Sequence, residues 1–501
     1  MTLSVEEERV RRGSRFGGLT GWSLITLVLT VPVWVMIVRS AVLSRVVDGG
    51  IFLSVSAGIA DGLRLYEQIW DNKDPFFFAV MALPMAVVPS LTFFLDIVWI
   101  ALGGLGAGLI ARSVMSADRA LFVGLVAAPV LLIGPSYVPG WTNTPGTTTA
   151  LLALGLVAHR KPVGGGIVAG LLAFIKLPVW PIAAAGIALL MFFPARRQEA
   201  RRALVAMFAT MGISVLVLAL LGWLQGAIDA VGRNRQYAVD VAGYFGFQPS
   251  IGGRLARALE DWPGALMWST ALALVSTVFV AVLWLAVPRL RSINRSIVAI
   301  WALIAWIGIL GMLGFTYVWP HHVQALALPV IFTLILIAGA VPERWPFPVF
   351  VVTTLAGSAL VSGWGSISAA QDAWAQRSMD FEVKVAQIEE EPLDARLLAS
   401  VPLNDFTYAR LGSNDDRGFL GSVRPDAQLA CPQFHLYDFS PPEAFADALQ
   451  CIQDVDVVLL TDAFTVFGGS SRAPYAQPVL DYVGSNFSCL RIDDRQVCTR
   501  W

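Results

Sequence analysis

The sequence predicts an all-α polytopic membrane protein whose last part is a small extracytoplasmic α/β domain. The chain has 501 residues, of which 56% are hydrophobic and only 14% are charged, and its mean hydropathy is +0.66. Soluble domains are rarely more than half apolar and usually carry about a quarter charged residues. Apolar runs of membrane length recur through residues 19–362, whereas after residue 363 the charge rises and the apolar runs shorten. With roughly 20 residues per span, the pattern gives about 11 transmembrane helices.

Residues 1–18 are predicted to form a cytoplasmic tail. They carry Arg9, Arg11, Arg12 and Arg15, and basic residues concentrate on the cytoplasmic side of membrane proteins. The apolar run that follows, residues 19–42, is longer than the apolar core of a secretory signal and has no small-residue cleavage site. It is therefore predicted to remain as the first transmembrane helix.

The other predicted spans run in alternating directions. Basic turns at 112–119, 159–161, 196–202 and 289–295 mark their cytoplasmic ends. Residues 75–90, which three prolines interrupt, are predicted to form an interfacial or re-entrant helix. The odd number of spans places the last domain outside the cytosol. The spans after the first are residues 91–110, 120–133, 148–158, 164–174, 179–193, 204–223, 265–287, 297–314, 323–340 and 347–361.

The four cysteines support the same topology by a separate argument. All of them, Cys431, Cys451, Cys489 and Cys498, lie in the last domain, and disulfides persist outside the cytosol. Four cysteines allow three pairings, of which Cys431–Cys451 and Cys489–Cys498 are the local ones. A zinc site is the alternative, but the sequence has no CxxC motif and the nearest histidine is His435. Inside this domain, 443–452 is predicted to be a helix, 455–460 a strand, and 487–491 with 496–499 a hairpin.

The candidate functional residues lie in the predicted outer loops. Between residues 48 and 75, acids, a lysine and aromatic residues fall together at the edge of an apolar run. Such residues at the water edge of a membrane protein usually serve chemistry or transport. Cations can bind a phosphate, aromatic faces can stack on a sugar, and a carboxylate can take a proton from a hydroxyl. The outer-loop candidates are Asp48, Asp71, Lys73, Lys176, Arg233, Arg235, Tyr66, Trp70, Trp141, His321 and His322.

The first of these loops, residues 44–90, resembles that of a known superfamily and is the predicted catalytic loop. The motif DGGIF at residues 48–52 and the stretch LYEQIWDNKDP at 65–75 are similar to the first outer loop of the GT-C glycosyltransferases. In that superfamily a D(E/G)G-type acid follows helix one, and an LYxDxxDxKxP stretch precedes helix two. Weaker similarities are FIKLP at 174–178, which resembles the xxKxP turn of the family, and the aromatic and histidine residues at 317–322. The similar layout extends over residues 19–362.

The resemblance implies a GT-C-like fold and a polyprenyl-phosphate-linked sugar as donor. Asp48 would then be the catalytic base, Lys73 would bind the donor phosphate, and Asp71 would shape the site or position the acceptor. The chain departs from the family at Gly49, where an acidic pair is missing, and at Asp74, which adds a negative charge beside Lys73. The first departure speaks against a family-type metal site, so no metal or other cofactor is predicted. The further candidates for the donor phosphate are Lys176, Arg233 and Arg235, and those for sugar or acceptor are Tyr66, Trp70, Trp141, His321 and His322.

The predicted function is the transfer of one sugar to a hydroxyl of a glycan, lipid or protein acceptor, with inversion at the anomeric carbon. The predicted location is the plasma membrane, and the composition suggests a bacterium. A net charge of −1 gives no basic field for nucleic acid. One alternative is a transporter or flippase of a lipid-linked saccharide, although no inverted repeat is evident. Another is a non-catalytic assembly protein of the cell envelope, with the last domain as its binding module.

Each candidate residue also has a purely structural interpretation. Asp48 could cap the helix that follows it, and Lys73 could pair with the acids beside it. Lys176 could extend its stem along lipid to reach water. The other candidates have ordinary roles as solvated loop residues or members of an interfacial aromatic belt: Arg233, Arg235, Trp70, Trp141, His321 and His322.

Overall fold

The computed structural model describes much of the helical domain and the core of the C-terminal domain. The described residues are 21–43, 49–67, 69, 71, 73–133, 142–232, 292–315, 324–340, 398–411, 426–431, 442–460, 475–492 and 495–500. The predicted tail 1–18, the spans 265–287 and 347–361, and the domain boundary at residue 363 lie outside them. The count of about 11 spans therefore stays a prediction.

In residues 21–340, the regular elements that the structure describes are helices, apart from one isolated β-bridge in the loop at 61–74. Short 3₁₀ turns at Pro89–Phe94, Leu189–Phe192 and Pro194–Arg196 and a π-helical turn at Val123–Ala127 interrupt the α-helices. The helices are α1 (Gly21–Leu43), α2 (Gly49–Ala60), α3 (Pro75–Met85), α4 (Leu95–Arg112), α5 (Ala117–Phe122), α6 (Ala128–Leu132), α7 (Asn143–Ala158), α8 (Pro162–Ile175), α9 (Trp180–Ala188), α10 (Arg197–Leu220), α11 (Ile293–Phe315) and α12 (Ala327–Ala340). Among them, the segments Leu95–Arg112 and Pro194–Leu220 are long and apolar enough to cross a membrane.

Tight helix packing forms the centre of this domain. α4 and α7 touch through Gly106 and Gly155, where a Cβ on either residue would run into the backbone of the facing helix. The buried residues around this contact, including Ile100, Leu151 and Trp301, form one continuous apolar core. The sequence pattern alone does not separate this kind of core from a lipid-facing surface, because both are apolar.

The basic turns meet at one end of the helical domain. Arg119 Nη1 donates a hydrogen bond to the Ala338 carbonyl at 2.8 Å, and Arg295 Nη2 donates to the Gly339 carbonyl at 2.7 Å. Both carbonyls belong to the last turn of α12, where backbone carbonyls have no N–H partner within the helix. The residues predicted to face the cytoplasm are thus neighbours in space, and the loop at 61–74 lies at the opposite end of the same helices.

The start of α7 differs from the sequence prediction. Residues 134–147 are predicted to be an outer loop, but α7 begins at Asn143 and its first turn is buried. Gln324 explains how a polar turn can be buried, since its Nε2 donates to the Leu132 carbonyl at 3.0 Å and to Thr144 Oγ1 at 2.9 Å. The loop prediction is therefore wrong for residues 143–147. The helix α10 also begins before the predicted span at 204, because the basic turn that starts at Arg197 is itself helical.

The C-terminal domain is a five-stranded mixed sheet with two helices. The strand order is β2-β1-β3-β5-β4, with β1 parallel to β2 and β3, and β5 antiparallel to β3 and β4. One face of the sheet packs on α13 and α14. The predicted helix, strand and hairpin all form. The elements are β1 (Phe406–Leu411), β2 (Ala427–Cys431), α13 (Pro442–Ile452), β3 (Val457–Leu460), α14 (Gln477–Asn486), β4 (Phe487–Ile492) and β5 (Arg495–Arg500).

The other face of the sheet joins the helical domain. Tyr408 and Leu459 belong to the same buried apolar cluster as Phe52 of α2, Leu63 and Trp223. Tyr408 is fully buried in this cluster. The sheet therefore lies at the end of the helical domain that carries the first loop.

Both predicted disulfides are present. Cys431 at the end of β2 is bonded to Cys451 in α13, and Cys489 is bonded to Cys498 across the β4–β5 hairpin. The first bridge closes a loop of 20 residues and the second a loop of 9. Because the first bridge closes the longer loop, it constrains more of the unfolded chain. It also fastens the crossover helix α13 to the sheet.

Removing the first disulfide should destabilise the C-terminal domain more than removing the second. The variant Cys431→Ser/Cys451→Ser is expected to lose about 3 kcal/mol of unfolding free energy, from the loop entropy it restores to the unfolded chain. The matched variant Cys489→Ser/Cys498→Ser should lose less, by about 0.7 kcal/mol. Urea unfolding, monitored by limited proteolysis of the C-terminal domain, gives the loss of unfolding free energy in both variants. An equal or reversed order would contradict the loop-length argument.

Candidate active site

The first loop folds back on itself and is held by its own backbone and by Tyr66. Leu65 and Ile69 form an isolated β-bridge, and the Tyr66 hydroxyl donates a hydrogen bond to the Lys73 carbonyl at 2.7 Å. Tyr66 has a φ of 69°, a left-handed conformation that is costly for a large side chain and is often found at functional sites. Gly226 lies directly against the Tyr66 ring, and a Cβ there would overlap it. The Tyr66 hydroxyl thus helps to fix the shape of the loop.

Asp71 and Lys73 form the turn that ends the loop. Asp71 is 3% exposed, and its Oδ1 accepts a hydrogen bond from the Lys73 backbone N–H at 2.9 Å. The Lys73 ammonium lies 5.8 Å from the centre of the Phe52 ring, within the range of a cation–π interaction. This arrangement points the cation of Lys73 towards α2, the helix that Asp48 directly precedes in the sequence.

Lys176 approaches the same turn from α8. It follows the last residue of α8, and its Nζ donates to Thr142 Oγ1 at 2.6 Å. Gly146 of α7 makes room for the lysine, because a Cβ at that position would lie 2.7 Å from the Lys176 stem. The rings of Phe76 and Phe174, 5.3 Å apart, fasten the start of α3 to the end of α8. Two parts of the sequence about a hundred residues apart therefore meet here.

Asp74 connects the two lysines electrostatically. Burial raises the pKa of the Asp74 carboxyl, whereas Lys176, the Leu177 backbone N–H and Lys73 act to lower it. Burial lowers the pKa of Lys176 to about 8, with Asp74 opposing this shift and Lys73 adding to it. Burial, Asp74 and Asp71 together raise the pKa of Tyr66 well above its usual value, so its hydroxyl remains a donor. The site thus holds two half-buried lysines beside the carboxyls of Asp71 and Asp74, and a bound anion would interact with both cations.

The pKa of Lys176 predicts how anion binding depends on pH. The lysine is charged below about pH 8 and neutral above it, and a bound phosphodiester would keep it charged to higher pH. If Lys176 holds the phosphate of a phosphodiester ligand, the affinity for that ligand should be constant up to pH 8 and then fall by up to about tenfold per pH unit. Calorimetric titration between pH 6 and 9.5 measures this. The variant Lys176→Arg, which stays charged, should remove the fall, and a wild-type affinity that is flat to pH 9.5 would contradict the assignment.

Several predicted site residues lie outside the described residues. The structure brings together Tyr66, Asp71, Lys73 and Lys176, and it adds Asp74 and Thr142 to them. The roles predicted for the other candidates stay predictions. Those candidates are Asp48, Trp70, Trp141, Arg233, Arg235, His321 and His322.

Comparison with known proteins gives structural similarity only. No family model matches the chain, and no curated protein matches its sequence. The oligosaccharyltransferase AglB from Archaeoglobus fulgidus, solved with an inhibitory peptide and a dolichol-phosphate, is 12% identical, with a TM-score of 0.49 over 95% of this chain and 74% of that one. ArnT from Cupriavidus metallidurans, solved with undecaprenyl phosphate, is 13% identical, with a TM-score of 0.49 over 96% of this chain and 98% of that one.

Sequence reasoning missed two residues of the site. The sequence predicts Asp74 only as an extra negative charge beside Lys73. In the structure the charges of Lys176 and Lys73 and the Leu177 backbone N–H all act on its carboxyl. Thr142 falls in a stretch predicted to be a loop, although it is fully buried beside Lys176. The signal that could have revealed it is the run TNTPGTTT at 142–149, because so many hydroxyls at the start of an apolar helix need partners in the protein.

The described residues do not include a cluster that would hold a metal ion. Among them, no three His, Cys, Asp or Glu side chains come together. Asp48, His321 and His322 lie outside this part of the chain, so the prediction that no metal is needed remains a prediction.

Proposed function

We propose that this protein is a membrane glycosyltransferase that moves a sugar from a polyprenyl-phosphate donor to an acceptor hydroxyl at the extracytoplasmic face. The observation that carries the proposal is the packing of the turn that holds Lys73 and Asp74 against the end of α8 that holds Lys176, through the rings of Phe76 and Phe174. Partly buried cations of this kind bind phosphate more strongly than solvated ones, since less water competes for the charge.

The surroundings of the lysines suit a lipid-linked phosphate. Leu177 beside the site is 37% exposed, and α3, which starts at the site, leads to Leu83 at 69% and Val87 at 76% exposure. These side chains would pack against the prenyl chain while the lysines hold its phosphate. A soluble sugar nucleotide has no prenyl chain that could pack against this apolar surface.

The reaction would be a single displacement at the anomeric carbon. The acceptor oxygen forms a bond to that carbon as the bond to the phosphate oxygen breaks, and the polyprenyl phosphate leaves with the bonding electrons. Lys176 and Lys73 would stabilise the charge that develops on the leaving phosphate. Asp48 would take the proton of the acceptor hydroxyl. Because phosphate is a good leaving group, no general acid is required.

Sugar transfer by the purified protein tests the proposal. The full chain in nanodiscs would be offered radiolabelled polyprenyl-phosphate sugars together with cell-envelope acceptors. We expect label to move to the acceptor and polyprenyl phosphate to be released in equal amount. Donor binding without release in the presence of all acceptors, combined with donor movement across the bilayer, would overturn the proposal in favour of transport. The absence of any donor binding would favour an assembly protein.

A further inference from the structure

A basic surface lies at the end of the helical domain opposite the lysine site. The turn between α7 and α8 carries Arg160 and Lys161, and the first turns of α10 carry Arg197, Arg201 and Arg202. All five side chains are exposed. These residues are called the basic surface below.

The two parts of the basic surface are held side by side. Arg160 Nη1 lies 3.0 Å from Glu199 Oε1, and the other oxygen of Glu199 pairs with Arg196 Nε at 2.6 Å. The buried Arg196 donates in turn to the Val157 carbonyl of α7 at 2.6 Å. The Glu199 carboxylate thus already pairs with Arg160 and Arg196. Within the described residues, Lys161, Arg201 and Arg202 form no ion pair.

Exposed apolar side chains continue from the basic surface along the same helices. α8 and α10 pack closely because Gly166 lies against the backbone of Ala203. Val205 and Phe208 of α10 are 69% and 58% exposed, and Val163 of α8 is 52% exposed. At 1.5 Å per residue, Phe208 lies about 10 Å along the helix from Arg201. Charge is therefore followed by apolar surface over the distance that separates the phosphate of a phospholipid from its upper acyl chains.

We infer that the basic surface binds the phosphate headgroup of an anionic phospholipid, whose acyl chains lie along α8 and α10. Cations beside a membrane surface attract anionic lipids, and basic pockets between helices bind their headgroups. A zwitterionic lipid carries an ammonium group beside its phosphate, so its headgroup is attracted less strongly to the basic surface. A free phosphate would meet the cations but would leave the apolar side chains uncovered. The inference rests on the proposal that the helical domain lies in a bilayer, and it does not depend on the transfer chemistry.

Lipid binding by the delipidated full chain tests the inference. Native mass spectrometry would count bound phosphatidylglycerol and phosphatidylcholine over a range of lipid concentrations. The variant Arg201→Gln/Arg202→Gln is expected to bind phosphatidylglycerol about 30-fold more weakly than wild type, with phosphatidylcholine binding unchanged. The control Arg64→Gln/Arg491→Gln removes the same charge from exposed residues of the first loop and of β4, away from this end of the helical domain, and should bind as wild type.

Further outcomes separate the explanations. The variant Arg201→Lys/Arg202→Lys keeps the charge and should keep the lipid, which also guards against a general failure to fold. Equal phosphatidylglycerol binding by wild type and the Gln variant would overturn the inference. So would equal wild-type affinity for the two lipids, or displacement of the lipid by millimolar inorganic phosphate, which would indicate a free-anion site. None of these readouts uses sugar transfer, so failure of the proposed function would not be confused with failure of this one.

Discussion

Replacing Asp48 with asparagine should lower the turnover of sugar transfer by about 1,000-fold, the usual loss when a general base is removed. In the proposed displacement the acceptor hydroxyl would lose its proton as the new bond forms, and an amide cannot accept that proton. The donor phosphate is assigned to the lysines, so donor affinity should stay the same. Single-turnover transfer and donor binding, measured on the same preparation, separate the two effects.

The matched control for this change is Asp61→Asn. Asp61 follows α2 and is exposed. The variant Asp61→Asn therefore removes the same charge at the other end of the helix that Asp48 precedes in the sequence. We expect Asp61→Asn to transfer sugar at the wild-type rate. Near-normal turnover by Asp48→Asn would show that another group is the base, even if transfer itself is confirmed.

Replacing Lys176 with methionine should weaken donor binding and lower kcat/KM for transfer by about 100-fold, as expected for a preorganised group that stabilises developing charge. Methionine fills much of the volume of the lysine stem, so the space beside Gly146 remains occupied. Without the ammonium, the donor phosphate loses one of its two cations. Asp74 also loses the largest charge that lowers its pKa, so that pKa should rise further. Both changes should be smaller in Lys176→Arg, which keeps the charge.

The control for Lys176→Met is Arg112→Met, which removes one positive charge from an exposed residue at the opposite end of the helical domain. It should leave donor affinity and transfer unchanged. If Lys176→Met bound the donor as tightly as wild type, Lys176 would have only a structural role, and Lys73 would be the remaining candidate for the phosphate.

The sequence predicts much of the fold because the relevant signals are local. The disulfides join cysteines that are near in sequence, and the strand β3 is a continuous apolar run. The site was harder to predict, because Lys176, Thr142 and Asp74 come together only through helix packing. No local pattern indicates that Gly146 leaves room for a lysine from another helix. The buried start of α7 looks like a loop in the sequence for the same reason, since Gln324, which hydrogen-bonds to Thr144 there, is far away in sequence.

The shared cluster between the sheet and the first loop has a consequence for biosynthesis. Phe52 leaves the ribosome long before Val497 of the same cluster. The apolar side chains near Phe52 therefore stay uncovered by the sheet while the residues between them are synthesised. Long-range closure of this kind is slow, and chains that stop before β5 would leave apolar surface open to proteases and chaperones. Formation of β5, which joins β3 to β4, would then complete the sheet that covers these side chains.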